Sequence, residues 1–284
     1  MQWRRTAERG SFGSADSTTQ GWAIVEHVEQ AEPRRRRGGF LRWQWETWRR
    51  RTTDPRPEVR FETVPHDVAH GSAAAGELRV TWIGHASVLL QTARANLLID
   101  PVWSRRASPV QWAGPARHAA PGVALDELPP LDAILVTHDH YDHLDRLTIE
   151  RLAGRARPGS QSPVVVSPKG YRNWMRGRGV PAHVELGWAD SWELPAEIAG
   201  RRADRADRDG VAPAAARITA VPVRHWSRRS LGERNRRLWC GYVAESEGFR
   251  TFFCGDSGWF AGFAAIGRLS CGPRSTSMTP SCAI

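Results

Sequence analysis

The sequence predicts a layered domain in which strands outnumber helices, of the α/β or α+β class. Its 284 residues are 40% hydrophobic, which suffices for the core of one large domain or two small ones. From residue 78 onward, short apolar runs of strand length alternate with turns, and fewer segments have helical spacing. No run approaches the roughly 18 apolar residues of a membrane-spanning helix. We therefore expect neither a chain disordered throughout nor one that spans a bilayer.

The first predicted strands surround a short turn. Residues 78–83 and 87–91 are apolar runs on either side of Gly84 and His85, and a third run at residues 96–99 ends at Asp100. A long loop rich in Gly, Pro and Trp then leads to a strand of the fully buried type. The remaining strands are predicted at residues 133–137, 164–166, 184–186, 218–223, 238–243 and 251–254.

Two segments are predicted to be helical. Residues 144–152 carry Leu, Leu, Ile and Leu at the spacing of one helix face, and residues 169–178 form the second candidate. Residues 201–210 (RRADRADRDG) alternate in charge without an apolar period, which is typical of a solvated loop. Strands interrupted by a few helices indicate a layered domain.

Charge is concentrated at the N-terminus. The formal charge is +10, and all but one of the 40 basic residues are Arg, a skew typical of GC-rich codon usage. Residues 1–60 hold 13 Arg against 8 acidic residues, and Trp is interleaved with Arg across residues 34–51. Such a segment suits peripheral contact with anionic lipid headgroups, whereas the alternative is a solvated tail. The same pattern can stack on single-stranded nucleic acid, but we do not expect a nucleic-acid partner.

The four cysteines are widely spaced and form no Cys-x-x-Cys pair. This usage suits a reducing compartment better than a disulfide scaffold. Arg4-Arg5 is followed by polar residues where an export signal would be apolar. We therefore predict a cytoplasmic protein, with peripheral membrane contact through residues 34–51 as the added hypothesis.

The most informative segment is THDHYDHLD at residues 137–145. It places three His and two Asp within six residues, in a chain with only ten His. The segment lies between a buried strand and a helix, where side chains converge on one point. His138 and His140 are two residues apart and face one side of an extended chain, while Asp142 and His143 follow the turn. Imidazole and carboxylate ligands in this pattern favour a zinc site, with a neighbouring second ion.

The pattern His-x-His-x-Asp-His is the signature of the metallo-β-lactamase superfamily, which this sequence resembles. Further segments resemble its N-acylphosphatidylethanolamine-hydrolysing phospholipase D branch, and the resemblance extends over roughly residues 38–267. These segments are VTWIGHASVLLQ at 80–91, LIDPVWS at 98–104, HWSRR at 225–229 and FFCGDSG at 252–258. The resemblance implies an α+β fold, namely an αββα sandwich of two sheets between helices.

The resemblance also implies a two-zinc site and its ligands. His138, His140 and His225 would hold one zinc ion, and Asp142 with His143 would hold the other. Asp256 would bridge both ions, which makes Asp142 and Asp256 the catalytic carboxylates of a hydrolase that acts through a metal-bridging hydroxide.

Three further residues near these segments receive expected roles. Arg229 is the candidate phosphate ligand, with a surface Arg as the alternative. His85 has no metal role in the family and is expected to be structural. Asp100 is expected to support the metal-binding loops by hydrogen bonding rather than to bind metal.

The sequence departs from the family near its end. The family completes the second zinc site with a last His, and no His follows His225 here. Residues 268–284 (RLSCGPRSTSMTPSCAI) lose the strand pattern, which suggests a shifted or shortened reading frame. We therefore expect an extension at residues 1–60, a hydrolase domain at 61–267 that is incomplete at its C-terminal end, and a tail unrelated to the family at 268–284.

Three functions remain open at this point. The first is a zinc-dependent phosphodiesterase of the phospholipase D type that acts on N-acylphosphatidylethanolamine-like lipids. The second is a lactonase or another ester hydrolase, because the metal motif fixes the nucleophile but not the substrate. The third is a catalytically silent metal-binding protein with an incomplete second site.

Overall fold

The computed structural model describes residues 72–154, 162–196, 214–230 and 232–271. The predicted extension at residues 1–60, the insertion at 201–210 and residues 272–284 lie outside the described residues. The hypothesis of membrane contact through residues 34–51 therefore stays a prediction. No described helix is long and apolar enough to cross a membrane.

The larger sheet has six strands in sequential order. The first three strands are antiparallel, and the next three continue the sheet in parallel with the third. Its strands are β1 (Arg79–Gly84), β2 (Ser87–Gln91), β3 (Asn96–Ile99), β4 (Ala133–Leu135), β5 (Val164–Pro168) and β6 (His183–Leu186).

The smaller sheet has four antiparallel strands in the order β10-β9-β8-β7. They are β7 (Ser191–Leu194), β8 (Ala216–Val221), β9 (Gly241–Ser246) and β10 (Phe249–Phe253). The described helices are α1 (Arg146–Ala153), α2 (Arg172–Arg176) and α3 (Gly262–Cys271), with a 3-10 turn at Leu125–Glu127.

The two sheets pack face to face with helices on their outer faces. Within β3, Leu97 and Ile99 belong to the core between the sheets, whereas Leu98 belongs to the core beneath α1 and α2. This alternation is the period of two expected for a strand buried on both sides. On the outer face of the smaller sheet, α3 packs Ala265 and Ile266 against it. The order of layers is α, β, β, α, which confirms the predicted αββα sandwich of the α+β class.

Most predicted elements are present with shifted ends, and two were not predicted. The strand β7 has the sequence SWEL, in which Trp192 and Leu194 alone are apolar. The helix α3 crosses residue 267, where we expected the family pattern to end, and continues to Cys271. The domain division at residue 267 stays a prediction.

The topology brings the ends of several strands to one edge. The β1–β2 turn lies beside the end of β3, since Val88 pairs with Ile99. The end of β10 lies beside the start of β9, and Cys240 N just before β9 donates to Thr137 O after β4 at 3.0 Å. Loops from both sheets therefore meet where the predicted metal ligands lie.

Candidate metal centre

Three histidines form the first donor group, which comprises His138, His140 and His225. His138 Nε2 lies 2.9 Å from His140 Nδ1, and His225 Nε2 lies 3.1 Å from each of these two atoms. Ligands of a tetrahedral zinc ion with bonds of 2.0–2.1 Å are about 3.3–3.4 Å apart, so the observed triangle is close to that size. Three nitrogens at mutual contact cannot all be satisfied by hydrogen bonds to one another, whereas one cation satisfies all three.

Asp256 faces this group and also a second one. Its Oδ2 lies 3.9 Å from His138 Nε2 and 3.7 Å from His225 Nε2. Its other oxygen, Oδ1, lies 3.3 Å from His143 Nε2. The carboxylate follows Gly255, whose φ of +61° suits glycine and whose α-carbon packs against Thr137. A carboxylate with one oxygen toward each group is suited to bridge two ions.

The second donor group comprises His85, Asp142 and His143. His85 Nε2 lies 3.0 Å from Asp142 Oδ2, and His143 Nε2 lies 4.0 Å from that same oxygen. One donor atom from each of the three residues lies within 4.8 Å of the others. The sequence predicted Asp142 and His143 here but not His85, which we expected to be structural.

A buried network fixes how His138 and His143 face the site. Asp100 is fully buried and accepts from Thr137 N, from Thr137 Oγ1 and from His143 Nδ1, at 2.6–2.8 Å. Because the Thr137 hydroxyl donates to Asp100, its oxygen accepts from His138 Nδ1 at 3.0 Å. Asp100 and Thr137 thus direct Nε2 of each histidine toward the site, as supporting residues do in metal centres. The hydrogen bonds that the sequence predicted for Asp100 are present, and its role in supporting a bound metal stays a prediction.

The electrostatic environment keeps the three histidines of the first donor group and Asp142 in the forms that bind metal, whereas it favours a bound proton on His143. Burial lowers the pKa of His138, of His140 and of His225, the last to about 4, so these imidazoles are neutral. Burial raises the pKa of Asp142, but the hydrogen bond from His85 and the charge of His143 lower it to about 2. Carboxylates and neutral imidazoles are the forms that bind divalent metals.

His143 differs from the other histidines. Burial lowers its pKa, but the hydrogen bond to Asp100, the charge of Asp100, the polar contact with Asp256 and the charge of Asp142 together raise it to about 10. Its Nε2 is buried and has no aligned hydrogen-bond partner among the described residues. A buried, charged nitrogen between two carboxylates is the arrangement in which a divalent cation replaces a proton. The residues present therefore fit a pair of metal ions.

Arg229 lies behind the metal-binding loop. Its Nη1 donates to the carbonyl oxygens of Asp139 and Leu144, at 2.9 and 2.8 Å. Its guanidinium also stacks on Tyr141, with 4.3 Å to the ring centroid, and Tyr141 Oη donates to Arg229 O. These contacts favour a positioning role, while the predicted contact with a phosphate stays a prediction.

A buried ion pair anchors the same loop. Asp139 is fully buried, accepts from Arg228 N at 2.8 Å and pairs with Arg237 Nη1 at 3.0 Å. The pairing joins the loop after β4 to the segment before β9. The sequence did not single out Asp139 or Arg237, because a lone Asp and a lone Arg 98 residues apart carry no local signal.

All six predicted metal ligands therefore lie in one place. They divide as the sequence implied, except that His85 joins Asp142 and His143. The signal that points to His85 is conformational, since its φ is +53°, in the left-handed region that non-glycine residues seldom adopt.

Comparisons with known proteins identify the family of this chain. Residues 95–278 match the Beta-lactamase superfamily domain. The chain is 34% identical over 188 residues to the N-acyl-phosphatidylethanolamine-hydrolyzing phospholipase D 1 of Caenorhabditis elegans, covering 64% of this chain and 47% of that protein. It is 30% identical over 222 residues to a UPF0173 metal-dependent hydrolase of Cupriavidus taiwanensis, covering 72% and 65%.

Among solved structures, Igni18, a metallo hydrolase from Ignicoccus hospitalis, superposes with a TM-score of 0.45 at 21% identity. The superposition covers 68% of this chain and 67% of that one. The chain spans about half the length of the curated relatives that it matches first.

Proposed function

The chain belongs to the beta-lactamase superfamily, and from this membership we propose that it is a metal-dependent phosphodiesterase acting on N-acylphosphatidylethanolamine-like lipids. The observation that carries the proposal is Asp256, whose two oxygens face the two donor groups separately. Two adjacent divalent ions would supply Lewis acidity and a water-derived nucleophile at neutral pH, as suits in-line displacement at phosphorus.

The chain's own residues hold and orient this chemistry. The first donor group presents three neutral imidazoles, and Asp142 and Asp256 supply negative charge that retains cations. Asp100 accepts a hydrogen bond from His143 Nδ1, so that His143 Nε2 faces the site. The buried pair of Asp139 and Arg237 keeps the loop between β4 and α1 in the position that groups these side chains.

The donor set supports zinc as the proposed metal. Histidine nitrogens and carboxylate oxygens without a cysteine suit zinc, and they also suit iron and manganese. Elemental analysis of the purified protein distinguishes these metals directly. We expect two zinc ions per chain.

Exposed tryptophans beside the ligands support an amphiphilic substrate. Trp226 follows His225 and its ring lies 4.3 Å from that of His140, while 37% of its surface is exposed. Trp82 donates from its indole to His85 O at 2.8 Å and is 57% exposed. An indole with one solvent-exposed face suits contact with lipid at a membrane surface. The C. elegans relative, by its name, hydrolyses a lipid of the proposed class.

The test is turnover by metal-loaded protein on vesicles that contain N-acylphosphatidylethanolamine, with phosphatidic acid measured by mass spectrometry. His140→Ala removes a ligand of the first donor group and should abolish release, whereas His118→Ala, at an exposed histidine, should not. Release of phosphatidic acid by the His140→Ala variant would contradict the assignment of His140 to the active site. Hydrolysis of a lactone without phosphatidic acid contradicts the substrate, and no hydrolysis by a chain with two bound metals contradicts the enzymatic function.

A further inference from the structure

We propose that His85 is a ligand of the second metal ion, beside Asp142 and His143, an inference that rests on the proposed two-metal site. Nothing in the sequence resemblance gives His85 this role. The inference stands on the position of the side chain, on its backbone and on the unsatisfied nitrogen that it faces.

The position of the side chain is that of a ligand. His85 Nε2 lies 3.0 Å from Asp142 Oδ2, and its ring centroid lies 5.6 Å from that of His143. The distance between the two donor atoms is close to the separation of two ligands on one tetrahedral ion, about 3.3–3.4 Å for bonds of 2.0–2.1 Å. A hydrogen bond from His85 to Asp142 has the same length, so the distance alone does not separate the two roles.

The backbone at His85 is specialised. His85 has φ of +53°, Gly84 before it has φ of +141°, and the register between β1 and β2 shifts between Trp82 and Gly84. Turns of this kind are usually occupied by Gly, Asn or Asp. The Trp82 indole donates to His85 O and fixes the turn. A bulky residue in this conformation is typical of a functional position, because strain of this kind clusters at such sites.

The unsatisfied nitrogen belongs to His143. Its side chain is 2% exposed, its Nδ1 is bound to Asp100, and its Nε2 is buried without an aligned hydrogen-bond partner among the described residues. Asp256 Oδ1 lies 3.3 Å from this nitrogen. A cation beside His143 Nε2 would also lie within reach of Asp142 and His85, since one donor atom from each of the three residues lies within 4.8 Å of the others. His85 is therefore placed to complete the ligand set of such an ion.

The experiment counts metal ions and measures their affinity in the full chain. Metal-free protein is titrated with zinc against a chromophoric chelator, for the wild type and for His85→Asn, His85→Gln and His118→Ala. Asparagine tolerates the left-handed backbone but does not reach as far as Nε2. Glutamine reaches that far and can still donate to Asp142, so it retains a supporting hydrogen bond and lacks the imidazole ligand.

We expect two ions in the wild type and in His118→Ala. Both His85 variants should keep the first ion, which shows that they are folded. Their affinity for the second ion should fall by more than about 100-fold. That loss exceeds the 10- to 100-fold that a supporting residue contributes. Restoration of the second ion by His85→Gln to within about tenfold of the wild type would overturn the proposal, since it would show a supporting role.

A spectroscopic readout tests the bond itself. In protein labelled with ¹⁵N-histidine and loaded with ¹¹³Cd, a ligating His85 Nε2 should show one-bond coupling to cadmium, and this signal should be missing in His85→Gln. A second ion in wild type without that coupling refutes the proposal and leaves the two-metal hydrolase standing. A wild type that binds no second ion refutes both the proposal and the two-metal function.

Discussion

Replacing Asp100 with Asn should remove a pH dependence that Asp100 imposes on the metal-free protein. The carboxylate is fully buried and accepts from His143 Nδ1 at 2.8 Å. Burial lowers the pKa of His143, but Asp100 and the nearby carboxylates raise it from 6.5 to about 10. At 1.36 kcal/mol for each pH unit, this difference corresponds to at most about 5 kcal/mol of folding free energy.

The direction of this pH dependence follows from the linkage between proton binding and folding. The folded protein holds the His143 proton more tightly than the unfolded chain does, so this stabilisation is fully present below pH 6.5. It is lost progressively as the pH rises from 6.5 to about 10. The Asp100→Asn variant lacks the carboxylate charge. Its amide nitrogen is itself a donor, and it faces one of the groups that donate a hydrogen bond to Asp100 in the wild type. We expect the variant to be about 3–5 kcal/mol less stable at pH 6 and the difference to narrow toward pH 10.

The assay is urea unfolding of chelator-treated protein at pH 6, 7.5, 9 and 10, followed by circular dichroism. Asp126→Asn serves as the control, because Asp126 has an 82% exposed side chain and pairs with Arg151 only at the surface. It should change the unfolding free energy by less than about 1 kcal/mol at every pH. Parallel profiles for the wild type and Asp100→Asn would refute the reasoning, since they would show that Asp100 does not control the charge of His143.

Three further predictions concern the support of the site and its rim. Arg237→Met should destabilise the protein by about 3–5 kcal/mol in urea unfolding, because it leaves the buried Asp139 charge without its cation. Gly255→Ala should lower the unfolding free energy and the affinity for metal together, since its Cβ would lie 2.9 Å from a neighbouring side chain at a φ of +61°. Gly232→Ala, with a φ of +87° and nothing within 4 Å, should lower stability alone. Trp226→Ala should reduce kcat/KM for vesicle lipid more than for a water-soluble phosphodiester, as measured by parallel steady-state assays.

Each of these predictions has a contrary result. Arg172→Met removes an exposed partner of Glu185 and should cost less than about 1 kcal/mol, so an equal cost for Arg172→Met and Arg237→Met contradicts the argument from burial. Equal effects of the two glycine variants on metal affinity contradict the role of Gly255 in placing Asp256. An equal loss on both substrates for Trp226→Ala contradicts lipid contact.

Local pattern determined most of the elements. The segments at 87–91 and 96–99 have the predicted bounds, because alternating or continuous apolar residues between turn residues specify a strand without distant help. The strand at Ser191–Leu194 was not predicted, since two apolar residues are too few for a pattern, and its pairing with β8 decides its conformation. The helix Gly262–Cys271 was missed because it begins with glycine and crosses the expected end of the family pattern.

The sequence by itself predicted a metal site at one motif, which holds His138, His140, Asp142 and His143, because residues within one turn after a buried strand must face one region. The family resemblance added His225 and the bridging carboxylate Asp256, which no contiguous pattern connects to that motif. The tertiary structure alone decided that His85, 57 residues before Asp142, joins the second group, and that Arg237 neutralises Asp139 across 98 residues. Such contacts depend on which loops the two sheets bring to one edge, and the free energy that fixes them comes from packing of the whole sandwich rather than from any local run of residues.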